Sequence, residues 1–139
     1  MNRHFFVAAV LSLVLQGAWA QQINVRPAGD VLLGDPLQIT LEGLPAGATV
    51  QLDAGRLVRE FTGGQRPYAS TARFTVGTDG RVDLATATPL SGGYGQPDIR
   101  GLFWSMRPSP GAAVGLTPKQ VRLQASVGEK VVAGRGVDI

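Results

Sequence analysis

The chain predicts an all-β fold, an antiparallel β-sandwich of about seven short strands, and three observations carry that prediction. Apolar residues recur with a period of two in one segment after another, as in Leu37, Ile39 and Leu41 against Gln38, Thr40 and Glu42. Turn chemistry separates these segments: Gly34-Asp35-Pro36, Gly43-Leu44-Pro45-Ala46-Gly47, Gly77-Thr78-Asp79-Gly80 and Pro108-Ser109-Pro110-Gly111. No stretch after residue 20 shows helical periodicity, and Gly and Pro interrupt the chain too often for a long helix. Short strands with frequent turns define an immunoglobulin-like architecture. The Cys-Trp-Cys core of antibody domains is absent, so the likeness is one of architecture alone.

The first twenty residues read as an address. Arg3 and His4 form a basic start, Phe5 to Leu15 is nearly all apolar, and Ala18-Trp19-Ala20 is a small-x-small site before polar Gln21-Gln22. The apolar run is too short to span a bilayer of roughly 30 Å at about 1.5 Å per residue. The expectation is a signal peptide over 1–20, cleaved after Ala20, and a periplasmic or extracellular protein without a membrane anchor. No Cys follows the site, which excludes a lipid-anchored form. Intact-mass measurement of exported protein should find Gln21, or its pyroglutamate, first; an uncleaved amino terminus would refute the reading.

Cleavage leaves 119 of 139 residues, enough for one domain burying roughly two-thirds of its unfolded surface. Loss of Arg3 lowers the formal charge from +3 to +2. The arginines are scattered among acids, so the sequence shows no concentrated basic face for nucleic acid. With no Cys, the domain must be held by its core. The only His is His4, inside the leader, so the rest of the chain lacks the groups for Ser-His-Asp or Cys-His catalysis, a His-based zinc site or a His proton shuttle.

In order, Ile23 and Val25 begin a first strand, stopped by Arg26-Pro27-Ala28-Gly29-Asp30, and Val31-Leu32-Leu33 steps into the Gly34 turn. Strands follow over 37–42 and 48–54. Gly55 to Pro67 reads as a long polar loop, with room for a short strand at 56–61. Tyr68, Ser70, Ala72, Phe74 and Val76 share one face of the next strand. The Asp79-Gly80 pair predicts a hairpin into Val82 and Leu84, because Gly80 tolerates positive φ. Pro89 to Arg100 is irregular. Leu102, Trp104 and Met106 then alternate with Phe103 and Ser105, which predicts a strand with Trp104 in the core and Phe103 outward. Val121, Leu123, Ala125 and Val127 form the last clear strand, and Val131-Val132 starts another. The β-sandwich is expected over 21–128, with 129–139 beginning a linker.

Chemistry is scarce. Asp35, Asp79 and Asp98 sit beside Gly or Pro, where Asp closes turns with its own side chain. No Asp-x-Asp-x-Asp spacing points to calcium, and nothing places Asp53 opposite Asp83 for paired-carboxylate work. Ser91, Ser105 and Ser109 lie outside any Gly-x-Ser-x-Gly elbow. Gly92-Gly93-Tyr94-Gly95 is glycine-rich but opens no helix after a strand, so it is a poor phosphate cradle. The expectation is no catalytic, cofactor or metal residue in this chain. An outward Phe103 beside a Gly/Pro-rich loop suggests a covered surface.

Two blocks together resemble a known family. One is Leu32-Leu33-Gly34-Asp35-Pro36-Leu37-Gln38-Ile39-Thr40-Leu41-Glu42-Gly43-Leu44-Pro45-Ala46-Gly47. The other is Gly80-Arg81-Val82-Asp83-Leu84, then Tyr94-Gly95, then Gly101-Leu102-Phe103-Trp104-Ser105-Met106-Arg107-Pro108. In order and separation they are similar to the amino-terminal domain of the acyl-CoA thioesterase / bile acid-CoA:amino acid N-acyltransferase family, over about Ile23 to Val127. The chain departs from that pattern before the Gly101-Leu102 pair: the family's pattern implies Asp-Pro-Met there, and this chain has Pro97-Asp98-Ile99-Arg100.

The resemblance implies a non-catalytic β-sandwich that precedes an α/β-hydrolase domain, which supplies the nucleophile, Asp and His of thioester hydrolysis or acyl transfer. None of those residues maps onto this sequence, and the chain stops about where that domain would begin. The expectation is therefore a fragment or truncated product, inactive alone, partnered in cis or trans by the hydrolase domain through Tyr94, Asp98, Phe103 and Arg107. The alternative is a free-standing secreted sandwich that binds a carbohydrate or a protein.

Overall fold

The computed structural model describes residues 21–26, 36–110 and 116–138. The expected signal peptide, the Val31–Leu33 step and the Gly34-Asp35 turn lie outside the described residues. The sandwich prediction holds: two antiparallel sheets enclose one apolar core. The smaller sheet orders β1 (Gln22–Arg26), β2 (Gln38–Glu42) and β5 (Val82–Asp83). The larger runs β6 (Ser91–Gly92), β4 (Gln65–Thr75), β3 (Thr49–Arg59), β8 (Gln120–Val127) and β9 (Lys130–Asp138), with β7 (Arg107–Pro108) also on β4.

The alternating residues meet across the sandwich because each strand has one apolar face to bury. Ile23, Val25, Ile39, Leu41, Val82 and Leu84 face Val50, Leu52, Ala72, Phe74, Val121, Leu123 and Ala125, all buried. Among the described residues no polar or charged residue is fully buried. Cohesion therefore rests on apolar burial and the strand ladders.

Both turns at one end switch sheets. Gly43–Ala48 carries the chain from β2 to β3, and Gly77–Arg81 from β4 to β5. The two turns are tied together, with the Leu44 N–H donating to the Gly80 carbonyl at 3.1 Å. Gly80 has φ +75°, and a Cβ there would lie 2.8 Å from the Leu44 carbonyl oxygen, so both conformation and space require glycine. The hairpin expected at Asp79-Gly80 is thus corrected. The turn is tight, but its return strand pairs with β2 (Thr40 with Asp83, Leu41 with Val82) and not with β4. The sequence marks the turn; which sheet receives the next strand depends on where Val82 and Leu84 find apolar partners.

The long loop expected over Gly55–Pro67 is also corrected. β3 and β4 form one hairpin paired from Thr49–Thr75 to Arg59–Gln65, turning only at Glu60–Gly64. Arg56 and Arg59 masked the alternation, because half of that strand's positions lie outside the core. Val131-Val132 is indeed the start of a strand, and β9 runs on to Asp138, through the residues assigned to the beginning of a linker.

The strand expected over Leu102–Met106 is absent. Gly101–Trp104 is a single helical turn, α1, lying against β3 and β4. Leu102 is buried and Phe103 half-buried against the core, while Trp104 is 62 % exposed. The placement of Trp104 in the core is therefore overturned. The cause lies just upstream. Asp98 Oδ1 accepts from the Arg100 N–H at 2.8 Å and its carbonyl from the Gly101 N–H at 3.0 Å. That side-chain turn sets the backbone curling before the apolar residues arrive.

Candidate docking surface at the β4 edge

One edge of β4 faces β3; the other would be open along eleven residues. Open edges invite unwanted pairing, and here one excursion of the chain covers it. β6 pairs at Arg73–Ser91 and Ala72–Gly92, and β7 at Ala69–Arg107 and Tyr68–Pro108. The Leu90, Gly93 and Ser109 N–H groups donate to the carbonyls of Arg73, Thr71 and Pro67. Between β6 and β7 the chain forms a lobe holding Tyr94, Asp98 and α1. Ser70 Oγ fastens it by donating to the Leu102 carbonyl at 2.5 Å.

The lobe is built around Tyr94, which is 7 % exposed. Its ring lies flat on Gly101, where a Cβ would fall 2.5 Å from Cδ2 and Cζ. Only glycine permits that approach. Trp104 packs against the same ring at 6.2 Å between centroids and 60° between planes, a tilted aromatic pair. The indole N–H donates to Asp98 Oδ2 at 2.7 Å. One carboxylate therefore both starts α1 and holds the indole. The result is a large exposed aromatic face whose rotamer is already fixed, so a partner covering it loses little side-chain entropy.

The four residues expected on an interface are gathered here with different parts. Tyr94 lies beneath the surface as the support. Asp98 is half-buried and orients Trp104. Phe103 is half-buried and packs inward, so it is not the outward aromatic that its sequence position implied. Arg107 is exposed on β7. The residue that sequence reasoning missed is Trp104. The available signal was Asp98 six positions before it, at a turn, with no buried polar partner elsewhere for an indole N–H.

Burial, with the Asp98 charge as the second cause, pushes the Tyr94 phenol up to about 12. Its hydroxyl has no hydrogen-bond partner among the described residues. Two results follow. Tyr94→Phe should be neutral or slightly stabilising at pH 7, since it removes an unsatisfied buried group. Because the folded pKa exceeds the unfolded value of 10.0, stability contributed by neutral Tyr94 is fully present below pH 10 and is lost as pH rises through 12. That loss is on the order of 2 kcal/mol. Urea melts at rising alkaline pH should show it in the parent and not in Tyr94→Phe.

Elsewhere the concave sites are shallow. A cleft of about 450 Å³ lies between the two sheet-switching turns, lined by Glu42, Leu44, Asp79 and Arg81. The outer face of the larger sheet has one of about 240 Å³ at Asp53, Gly55, Leu116 and Arg122. Glu42 is ion-paired with Arg81, and Gln51 donates to Asp53. Among the described residues no cluster of His, Cys, Asp or Glu could hold a metal ion.

An all-β antiparallel sandwich with an exposed, fixed aromatic on one strand edge defines the class of protein as a β-sandwich module. The acyl-CoA thioester hydrolase/BAAT N-terminal region matches residues 34–134, and the chain belongs to that family. Human acyl-coenzyme A thioesterase 1 is 29% identical over 119 residues, covering 86% of this chain and 27% of the relative. Human mitochondrial acyl-coenzyme A thioesterase 2 is likewise 29% identical over 119 residues, 86% of this chain and 24% of its own length. Mouse acyl-coenzyme A thioesterase 6 is 30% identical over 89 residues, 64% of this chain and 20% of the relative. The chain thus spans about a quarter of the human relatives' length.

Proposed function

We propose that this chain is an exported, non-catalytic β-sandwich domain that works with an α/β-hydrolase domain, in cis or in trans, in acyl-thioester hydrolysis or acyl transfer. The observation that carries the reading is Trp104, exposed yet held by Asp98 and Tyr94, in a chain of this family. A fixed aromatic face is the kind of residue that anchors interfaces. The absence of His and Cys after the leader supports a role in positioning rather than in bond breaking. The relatives are named as acyl-CoA thioesterases, which points to a thioester as the substrate of the complete assembly. An exported form does not meet cytosolic acyl-CoA, so its thioester or ester would be one present outside the cytosol.

The DNA following codon 139 tests the assignment of the partner: a hydrolase reading frame there, in frame or shifted, supplies the polypeptide to pair with this chain. With acyl-CoA esters of short and long chain, this protein alone should match the buffer blank. Turnover that scales with protein after repurification would overturn the non-catalytic reading.

A further inference from the structure

The fold collects cations that look scattered along the sequence. Beyond the Gly55–Ala69 pair, the β3–β4 hairpin carries Arg56, Arg59 and Arg66. Arg107 lies opposite Ala69, Arg122 opposite Gly55, and Lys119 follows the Thr117 whose carbonyl accepts the Leu57 N–H. Against these six the ladder has two acids at this end. Glu60 is paired with Arg66 at 2.7 Å, and Asp138 accepts from Gln120. At the far end the charges nearly balance: Glu42, Asp79 and Glu129 sit at or near the sheet-switching turns and the β8–β9 turn, together with Arg81, ion-paired to Glu42, and Lys130. The excess of cations therefore lies at the hairpin end.

At the apex of the basic end stands Phe61. It is fully exposed at the hairpin tip, and the neighbouring residues through Arg66 are exposed with it. Nothing in the core needs it there. A hairpin tip with an exposed aromatic foremost and Arg59 and Arg66 behind it on the two strands matches the depth profile of a lipid surface, where apolar groups enter the acyl boundary and cations stay among phosphates. A groove would suit a nucleic acid better, and the tip has none.

We propose that this hairpin end is a docking surface for an anionic lipid bilayer, with Phe61 as the inserting residue. Attachment is peripheral and reversible, since one aromatic and a handful of cations do not anchor permanently. Of these residues only Arg107 is shared with the surface assigned to the hydrolase domain; Phe61, Arg59 and Lys119 are not.

Vesicle flotation with the chain beginning at Gln21 tests it. The chain should float with vesicles of equal parts phosphatidylcholine and phosphatidylglycerol, and not with phosphatidylcholine alone. Added salt should weaken binding. Phe61→Ser should lower the partition coefficient about tenfold, and Arg59→Gln with Lys119→Gln should lower it and flatten the salt dependence. Both are surface changes and should leave the urea midpoint unchanged, while Trp104→Ala should float like the parent. No preference for the anionic vesicles, or an unchanged partition in Phe61→Ser, would overturn the proposal. So would tighter binding to duplex DNA than to the vesicles, or loss of hydrolase-polypeptide binding in Phe61→Ser, either of which would put a different partner on the tip.

Discussion

Phe74→Ala is expected to lower the unfolding free energy by about 3–5 kcal/mol. Among the described residues Phe74 is the largest fully buried side chain, 1 % exposed, on β4 opposite Val50. Removing its ring forfeits transfer energy and leaves a cavity in the buried apolar cluster that close-packed strands cannot collapse into. A domain of this size has about 5–15 kcal/mol in all, and this one has no disulfide in reserve. Trp104→Ala provides the contrast. It removes an exposed indole, one hydrogen bond and one aromatic pair, so it should cost about 1 kcal/mol. Urea melts of the two variants should differ clearly in midpoint. Equal losses would mean that Trp104 is core after all.

Gly101→Val is expected to cost about 2–3 kcal/mol, by overpacking rather than by cavity formation. Any Cβ at 101 meets the Tyr94 ring at 2.5 Å, and a valine adds two methyl groups beyond it. The ring has no free direction to retreat, since it is buried and faces Trp104 on another side. The lobe must shift, which moves α1 and loosens the Trp104–Asp98 hydrogen bond. The signature is therefore double: a lower urea midpoint and a more mobile indole by fluorescence anisotropy. Gly101→Ala should show the same pattern to a smaller degree. A Gly101→Val variant as stable as the parent would remove the close approach on which the platform rests.

How much of this was legible in the sequence depended on burial. The strands read over 37–42, 48–54, 68–76 and 121–127 were legible because each has a face in the core, which imposes period two. The outer half of the β3–β4 hairpin could not. There Arg56 and Arg59 stand on a strand whose pairing, not whose burial, makes it β, and pairing leaves no composition signal. Asp79-Gly80 announced a turn but not a change of sheet, because the destination is set by β2, forty residues earlier. The apparent alternation Leu102–Trp104–Met106 spans only five residues, short enough to fit a helical turn equally well. Asp98 decided the matter through two backbone N–H groups. The aromatic lobe was half legible for the same reason: Tyr94, Asp98 and Phe103 do lie close together, but Phe103 and Trp104 exchange their expected exposure once the strand becomes a helix.

From Gln21 onward Trp104 is the sole tryptophan, so its fluorescence reports the platform without interference. In the isolated chain the emission should be that of a water-exposed indole and open to acrylamide quenching. Titration with the α/β-hydrolase polypeptide should shift it to the blue and protect it from acrylamide, saturating at one partner per chain, with Asp98→Asn weakening the transition. A blue, protected emission in the isolated chain, or an unchanged emission in a complex that sedimentation shows to have formed, would contradict the account.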